Sequence, residues 1–249
     1  MRLLIFLLSA NACFGQLTMQ QMQPFFNGNT STSVPGPNSI PGLALWWVSS
    51  DLPVNPKVSV WTDRIQGKLW TNNNTGKQPT NSLTGVYFDG STTVLTNDGS
   101  FKLFSGVHSY TIYAVVKCVQ DGNGATQRAF FSQPNNTATA GLGVYWFNHL
   151  CVNITGGTTY FVGITNNYQD FIFQSSNVGN TWRTNNVVTA NGSQLQSGAD
   201  FTMFNLGQNP SVANGWFYLA EIGLYTNDLT AGQMTTLHTY ATNTYSYAP

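Results

Sequence analysis

Apolar residues recur along most of the chain in short runs of strand length, each closed by Gly, Asn or Asp. Runs of this kind predict an antiparallel sandwich rather than alternating strand and helix units. Strands are expected near Leu43–Val48, Gly85–Phe88, Thr93–Thr96, Tyr110–Val119, Arg128–Ser132 and Gly141–Phe147. Others are expected near Leu150–Thr155, Tyr160–Ile164, Phe171–Ser176, Thr181–Asn185, Phe201–Leu206 and Trp216–Tyr225. In the run from Tyr110, residues Ile112, Ala114 and Val116 face one way while Thr111, Tyr113, Val115 and Lys117 face the other. The second face is only half polar, so this strand is expected to be covered on both sides. The pattern becomes helical only at the end, from Leu229 to about Tyr245, where Leu229, Gln233, Leu237 and Tyr240 fall near one face. Asp89-Gly90 and Asn191-Gly192 supply turn chemistry. From Gln16 to about Pro41 there is no periodicity, only Gln, Asn, Thr, Pro and Gly, which reads as a linker or extended arm with Phe25 and Phe26 as its docking point.

Composition narrows the setting. The 249 residues fit one large β domain, with Lys plus Arg at 9, Asp plus Glu at 9, and charged residues at 7% of the chain. A soluble domain ordinarily carries about 25%. A polar surface with so little charge has no long-range field, which argues against nucleic-acid binding and docking on anionic membranes. The first residues, with Arg2, an apolar run Leu3–Leu8 and small residues Ala10 and Ala12, have the layout of a signal peptide. The run is too short to span a bilayer, so membrane insertion is not expected. The organisation read from the sequence is a leader over 1–15, an arm over 16–41 and a sandwich over 42–249, in a protein that is secreted or at an extracellular surface. With the leader gone, Cys118 and Cys151 remain, either joined as one disulfide or packed as small apolar residues.

Several segments resemble, in order, the laminin-G-like branch of the concanavalin A-like lectin/glucanase superfamily, of bacterial or phage type. Leu43-Ala-Leu-Trp46-Trp47 with Asp51-Leu52 resembles its opening strand, and Trp61-Thr-Asp63-Arg64 its Trp-x-Asp turn. Val86-Tyr-Phe88-Asp89-Gly90 resembles its Phe-Asp-Gly strand end, Tyr110–Val116 its central strand, and Gly215–Tyr225 followed by the helical tail its closing strand and helix. The resemblance spans roughly Pro41 to Tyr245 and implies an all-β, antiparallel jelly-roll sandwich with one short C-terminal helix. Trp46, Trp61 and Trp216 suit large structural anchors whose indole N–H groups need partners.

The chemistry expected of such a sandwich divides. Its glycosidases carry paired acids on one strand, since one must protonate the leaving oxygen while the other attacks or activates water. This chain has one glutamate, Glu221, whose neighbours at even spacing are Leu219 and Gly223. A lone carboxylate in an apolar strand reads as a buried structural group needing a partner such as Arg64 or His238. No catalytic residue is assigned. No cofactor is expected, although calcium, which related sandwiches bind, would find hard oxygen ligands at Asp98, Asp121 and Asn123 in loops that also read as ordinary turns. Glycan binding needs exposed aromatics flanked by amides, and Trp146, Tyr168, Trp182, Arg183 and Asn185 fit that description.

The sequence alone therefore reads as a non-enzymatic carbohydrate-binding or adhesion domain at an extracellular surface, with a glycan or surface polysaccharide as partner. The rival reading is a virion structural protein, a phage capsid-decoration or fibre component, with other virion or surface-layer subunits as partners. A polysaccharide-active hydrolase comes third.

Overall fold

The computed structural model describes residues 34–97, 109–119, 128–129, 131–132, 143–146, 149–154, 158–163, 168–176, 179–192, 205–208 and 213–246. The chain first forms β1 (Leu43–Val48), β2 (Val60–Thr62), β3 (Leu69–Thr71), β4 (Thr80–Ser82), β5 (Gly85–Asp89) and β6 (Leu95–Asn97). Its middle supplies β7 (Tyr110–Cys118), β8 (Arg128–Ala129), β9 (Phe131–Ser132), β10 (Gly143–Trp146), β11 (His149–Ile154) and β12 (Thr158–Gly163). Then come β13 (Gln169–Ser176), β14 (Gly179–Thr184), β15 (Val187–Gly192), β16 (Asn205–Leu206), β17 (Ala213–Asn214), β18 (Trp216–Tyr225) and helix α1 (Ala231–Tyr245).

The eight-stranded sheet has the order β15-β14-β13-β7-β18-β5-β4, with β1 joining β18. β18 is long enough to hold two neighbours on one edge: Trp216–Leu219 pairs with β5 and Glu221–Tyr225 with β1. A five-stranded ladder, β2-β3-β6-β16-β9, lies across the main core from it. The remaining ladder, β12-β11-β10-β8-β17, connects through Arg128–Ser132, whose first half pairs in one ladder and second half in the other. Pairing is antiparallel throughout except between β17 and β8.

The core follows from alternation. Ile112, Ala114 and Val116 of β7 meet Phe171 and Phe173 of β13, Phe217, Leu219, Ile222 and Leu224 of β18, and Trp47, Trp61 and Trp70. Trp47 stacks on Trp70 with ring centroids 4.0 Å apart, and Trp61 donates its indole N–H to the Val48 carbonyl at 3.2 Å. The other face of the sheet carries Tyr113, Val115 and Ile172, which pack under α1 through Met234, Leu237 and Ala241. Both faces of β7 are thus covered, as its half-polar second face implied.

Several expectations shift in detail. Strand β6 starts at Leu95 rather than Thr93, because the Thr93 hydroxyl and amide are taken by the Asp89 carboxylate, which also accepts from the amides of Ser91 and Thr92. Asn191-Gly192 is not a turn but the end of β15. The hairpin before it turns at Asn185 and Asn186, both in the left-handed region at φ 46° and 61°, a conformation asparagine tolerates better than other side-chain-bearing residues. Cys118 is a free thiol buried in the core, and burial pushes its pKa up to about 12. The side chain of Cys151, its partner in the disulfide alternative, lies outside the described residues. Asp98, Asp121 and Asn123 lie outside the described residues; no cluster of metal-binding side chains occurs among the described ones. No described helix is long and apolar enough to cross a membrane.

Candidate functional site

The site begins with a bulge. Along β18, Leu219 pairs with Val116 of β7, yet Glu221 pairs with Val115, so Ala220 is the extra residue. Simple alternation would leave Glu221 on the core face with Leu219. The bulge turns it to the opposite face, beneath the end of α1. Gly85 makes room for this: its φ is +129°, and a Cβ there would stand 2.8 Å from the Leu219 carbonyl oxygen.

Glu221 is fully buried and three donors converge on it. Trp46 of β1 donates its indole N–H to Oε1 at 2.6 Å. The phenols of Tyr240 and Tyr245, from the last turns of α1, donate to Oε2 at 3.1 and 2.5 Å. Burial is the largest influence on the carboxyl and pushes it up, against the pull of these bonds and of the Arg64 charge, to about 7. Burial and the nearby carboxylate also raise both tyrosines above the ordinary phenol range. The partners foreseen for Glu221 were Arg64 or His238. Arg64 acts only through its field, and His238 pairs instead with Asp170, Nδ1 to Oδ1 at 2.6 Å.

Arg64 is positioned by the turn after β2. The buried Asp63 carboxylate accepts from the backbone amides of Trp46, Ile65 and Gln66 at 2.6, 3.0 and 2.6 Å, and the Arg64 amide bonds the Trp46 carbonyl at 2.8 Å. The guanidinium then lies 4.5 Å from the Trp46 ring centroid and forms a forked pair with Asp51 at 2.7 and 2.6 Å. Asn81 of β4 fixes the segment between Ser49 and Pro53 by donating to the carbonyls of Ser49, Leu52 and Pro53.

These elements enclose a groove of about 680 Å³ whose walls include Ser50, Arg64, Thr84, Tyr168, Tyr240 and Tyr245. Tyr245 links Glu221 to the open groove. Tyr168 stacks on Tyr245 with centroids 6.3 Å apart, and burial pushes its phenol up to about 12. Hydroxyls and amides beside aromatic faces, with one guanidinium, suit a ligand that is polar at its edges and apolar on its ring faces.

Of the residues expected to bind ligand, Tyr168 lines this groove. Arg183 and Asn185 sit instead at the β14–β15 hairpin, where the Arg183 guanidinium reaches the Asn186 carbonyl at 3.4 Å. The Trp182 backbone pairs with Phe173 in β14 and Trp146 lies in β10, but the side chains of both fall outside the described residues. Sequence reasoning missed Tyr240, Tyr245 and Arg64 as parts of one site. The only signal for Tyr240 was its place on the inner face of the helix.

No known sequence family matches the chain, and no curated protein matches it. Solved structures do. Trypanosoma rangeli sialidase superposes with a TM-score of 0.61 at 13% identity, covering 85% of this chain and 34% of the sialidase. The same enzyme in complex with sialic acid gives 0.60 at 14% identity, over 82% and 33%. A GH54 α-L-arabinofuranosidase soaked with a cyclic sulfate inhibitor gives 0.59 at 10% identity, over 74% and 50%. The chain thus spans a third to a half of the length of the enzymes it resembles, and identities this low establish a shared β-sandwich fold. The expectation of a non-enzymatic adhesion domain is corrected here: the solved structures just named, which share the fold, are enzymes, a sialidase and an arabinofuranosidase.

Proposed function

We propose that the protein is a carbohydrate-active enzyme that cleaves a glycosidic bond in the groove, with Glu221 acting through the Tyr245 phenol. The observation that carries this reading is the 2.5 Å hydrogen bond joining a groove-lining phenol to a carboxyl whose pKa lies at about 7. A general acid works best when its pKa is near the working pH, and burial is a common way to raise a carboxyl that far. Once Glu221 is protonated its bond to Tyr245 runs the other way: the carboxyl O–H gives its proton to the Tyr245 oxygen, while that phenol, no longer donating to Oε2, gives its own to the departing glycosidic oxygen. Water entering the open groove takes the anomeric carbon and releases a proton that restores the acid. Asp170 opposes the same Val115 from β13, so a second carboxyl shares the row with Glu221, but it is sealed against His238. The laminin-G-like motifs support placing the sandwich in that branch: Trp46 and Asp63 build the site's flank, and Asp89-Gly90 forms its expected turn.

The test is release of phenol from a panel of phenyl pyranosides and furanosides, whose poor leaving group needs protonation to depart. Glu221→Gln and Tyr245→Phe should each lower kcat/KM by about 100-fold or more, and the wild-type rate should fall as pH rises through about 7. An inert wild-type protein, or activity that survives Glu221→Gln, overturns the assignment.

A further inference from the structure

A row of side chains crosses the sheet beside the groove. Tyr218 of β18 stands opposite Tyr87 of β5 on one side and Lys117 of β7 on the other. Gln169 pairs with Val116, so the same antiparallel register carries Tyr168, one residue earlier, to Lys117. The contacts agree with the register. Tyr87 and Tyr218 have ring centroids 4.7 Å apart, the Lys117 ammonium lies 5.8 Å from the Tyr218 ring, and Trp216 donates its indole N–H to the Tyr87 hydroxyl at 2.8 Å. Tyr218 also adds to the electrostatic influences that raise the Tyr168 phenol. Beyond Tyr168 the line continues through its stack on Tyr245 into the groove.

These residues lie on the face that α1 covers, but the apolar cluster under the helix ends at Tyr168 and Tyr245 without reaching Tyr87 or Tyr218. Tyr87, Lys117, Tyr168, Trp216 and Tyr218 are all half-buried, so each presents part of its side chain to solvent. A row across four adjacent strands spans roughly 14 Å, from a strand spacing of about 4.8 Å. That is longer than one sugar ring. Aromatic rings with polar tips, interrupted by a single ammonium, match successive sugars, which offer apolar faces and hydroxyl edges, better than they match an apolar protein surface.

We propose that this row is an extension of the groove that holds further sugar rings of a glycan chain, so that the ligand is an oligosaccharide or polysaccharide rather than a single sugar. The proposal rests on the groove being a glycan site, with Tyr168 as the shared residue between the two. Lys117 gives the row a preference for chains bearing carboxylates.

Electrophoresis through gels containing arabinan, xylan, laminarin or alginate tests binding without requiring turnover. The wild-type protein should be retarded by at least one of them, with Tyr218→Ala and Tyr87→Ala weakening the apparent affinity by about 3- to 10-fold. Titration with oligosaccharides of the retarding polymer should show affinity rising with chain length in the wild type and levelling off early in Tyr218→Ala. Hydrolysis of a short aryl glycoside should be unchanged by either substitution. A protein that no polymer retards, or that is retarded equally with and without the two tyrosines, overturns the proposal. Retention of the length dependence in both variants does the same. Melting curves accompany each variant, and if Tyr218→Ala melts early the comparison is carried by Tyr87→Ala near the sheet edge. If the retardation pattern holds while no aryl glycoside is cleaved, the catalytic reading fails and the row stands.

Discussion

At the scale of single residues, Asp89 and Glu221, two of the described carboxylates with shifted pKa values, lean in opposite directions. Asp89 is partly exposed; burial would raise it, but amide bonds from Ser91, Thr92 and Thr93 and the Thr93 hydroxyl together hold it well below the usual carboxylate range. Glu221 has donors too, yet its full burial outweighs them and the acid form is favoured up to about 7, against an ordinary value of 4.5. The folded protein therefore holds this proton more tightly than the unfolded chain does. The resulting stability is fully present below about pH 4.5 and is lost as pH rises through about 7, amounting to about 3 kcal/mol at 1.36 kcal/mol per unit. Asp89 gives up its contribution only below its ordinary value of 3.8, so the two windows do not overlap. The melting temperature of the wild-type protein should fall between pH 4.5 and 7, and Glu221→Gln should flatten that slope. A wild-type curve that is level or rising across this interval would show that the carboxyl titrates normally.

At the scale of elements, the bulge in β18 and the cap of α1 hold the site together. Helix α1 starts with a reciprocal cap, in which the Thr230 hydroxyl accepts from the Gln233 amide at 3.3 Å and the Gln233 side chain accepts from the Thr230 amide at 2.7 Å. Thr230→Ala should cost about 1 kcal/mol and lower the melting temperature with little change at the groove, because Tyr240 and Tyr245 sit at the far end. Gly85→Ala meets the bulge itself. It forces a Cβ against the Leu219 carbonyl at an unfavourable φ, and should destabilise by about 2 kcal/mol or more. Equal melting temperatures for Gly85→Ala and wild type would mean that β5 can move away from β18. The runs β1, β7 and β18 and the Phe171–Phe173 part of β13 were legible in the sequence because burial on both faces keeps consecutive residues largely apolar. Short β2, β3 and β4 were not, since three residues flanked by polar loops carry no period. The orientation of Glu221 was illegible for a different reason: Leu219, Ala220 and Ile222 are all apolar, so nothing in the pattern marks which residue is the extra one. His238 and Arg64 were both reasonable partners for the carboxylate, and only the bulge and the register of the helix decide that two tyrosines and Trp46 take the place.

For the molecule as a whole, the scarcity of charge shapes how it meets a ligand. With nine basic and nine acidic side chains in 249 residues, there is no net charge to steer an approaching partner. The groove adds no strong local field, since its Arg64 is already matched by Asp51 in a forked pair on the partly exposed rim. What the surface offers instead is hydroxyls, amides and aromatic faces, and contacts of that kind act only at short range. The same composition that argued against nucleic acid in the sequence therefore suits the glycan proposed for the groove, although composition could not distinguish a protein that holds a glycan from one that cuts it. In the proposed function that distinction rests on a hydrogen bond between Tyr245 and Glu221, two residues 24 positions apart that no sequence period relates. A consequence can be measured on the intact protein. Affinity for an uncharged polysaccharide such as laminarin should change less than about 2-fold between 50 and 500 mM salt, because screening weakens only interactions between charges. An acidic polymer such as alginate should weaken over the same range through loss of its attraction to Lys117. If binding of the neutral polymer instead collapses with added salt, recognition runs through ion pairs rather than through the aromatic row and the hydroxyl-lined groove.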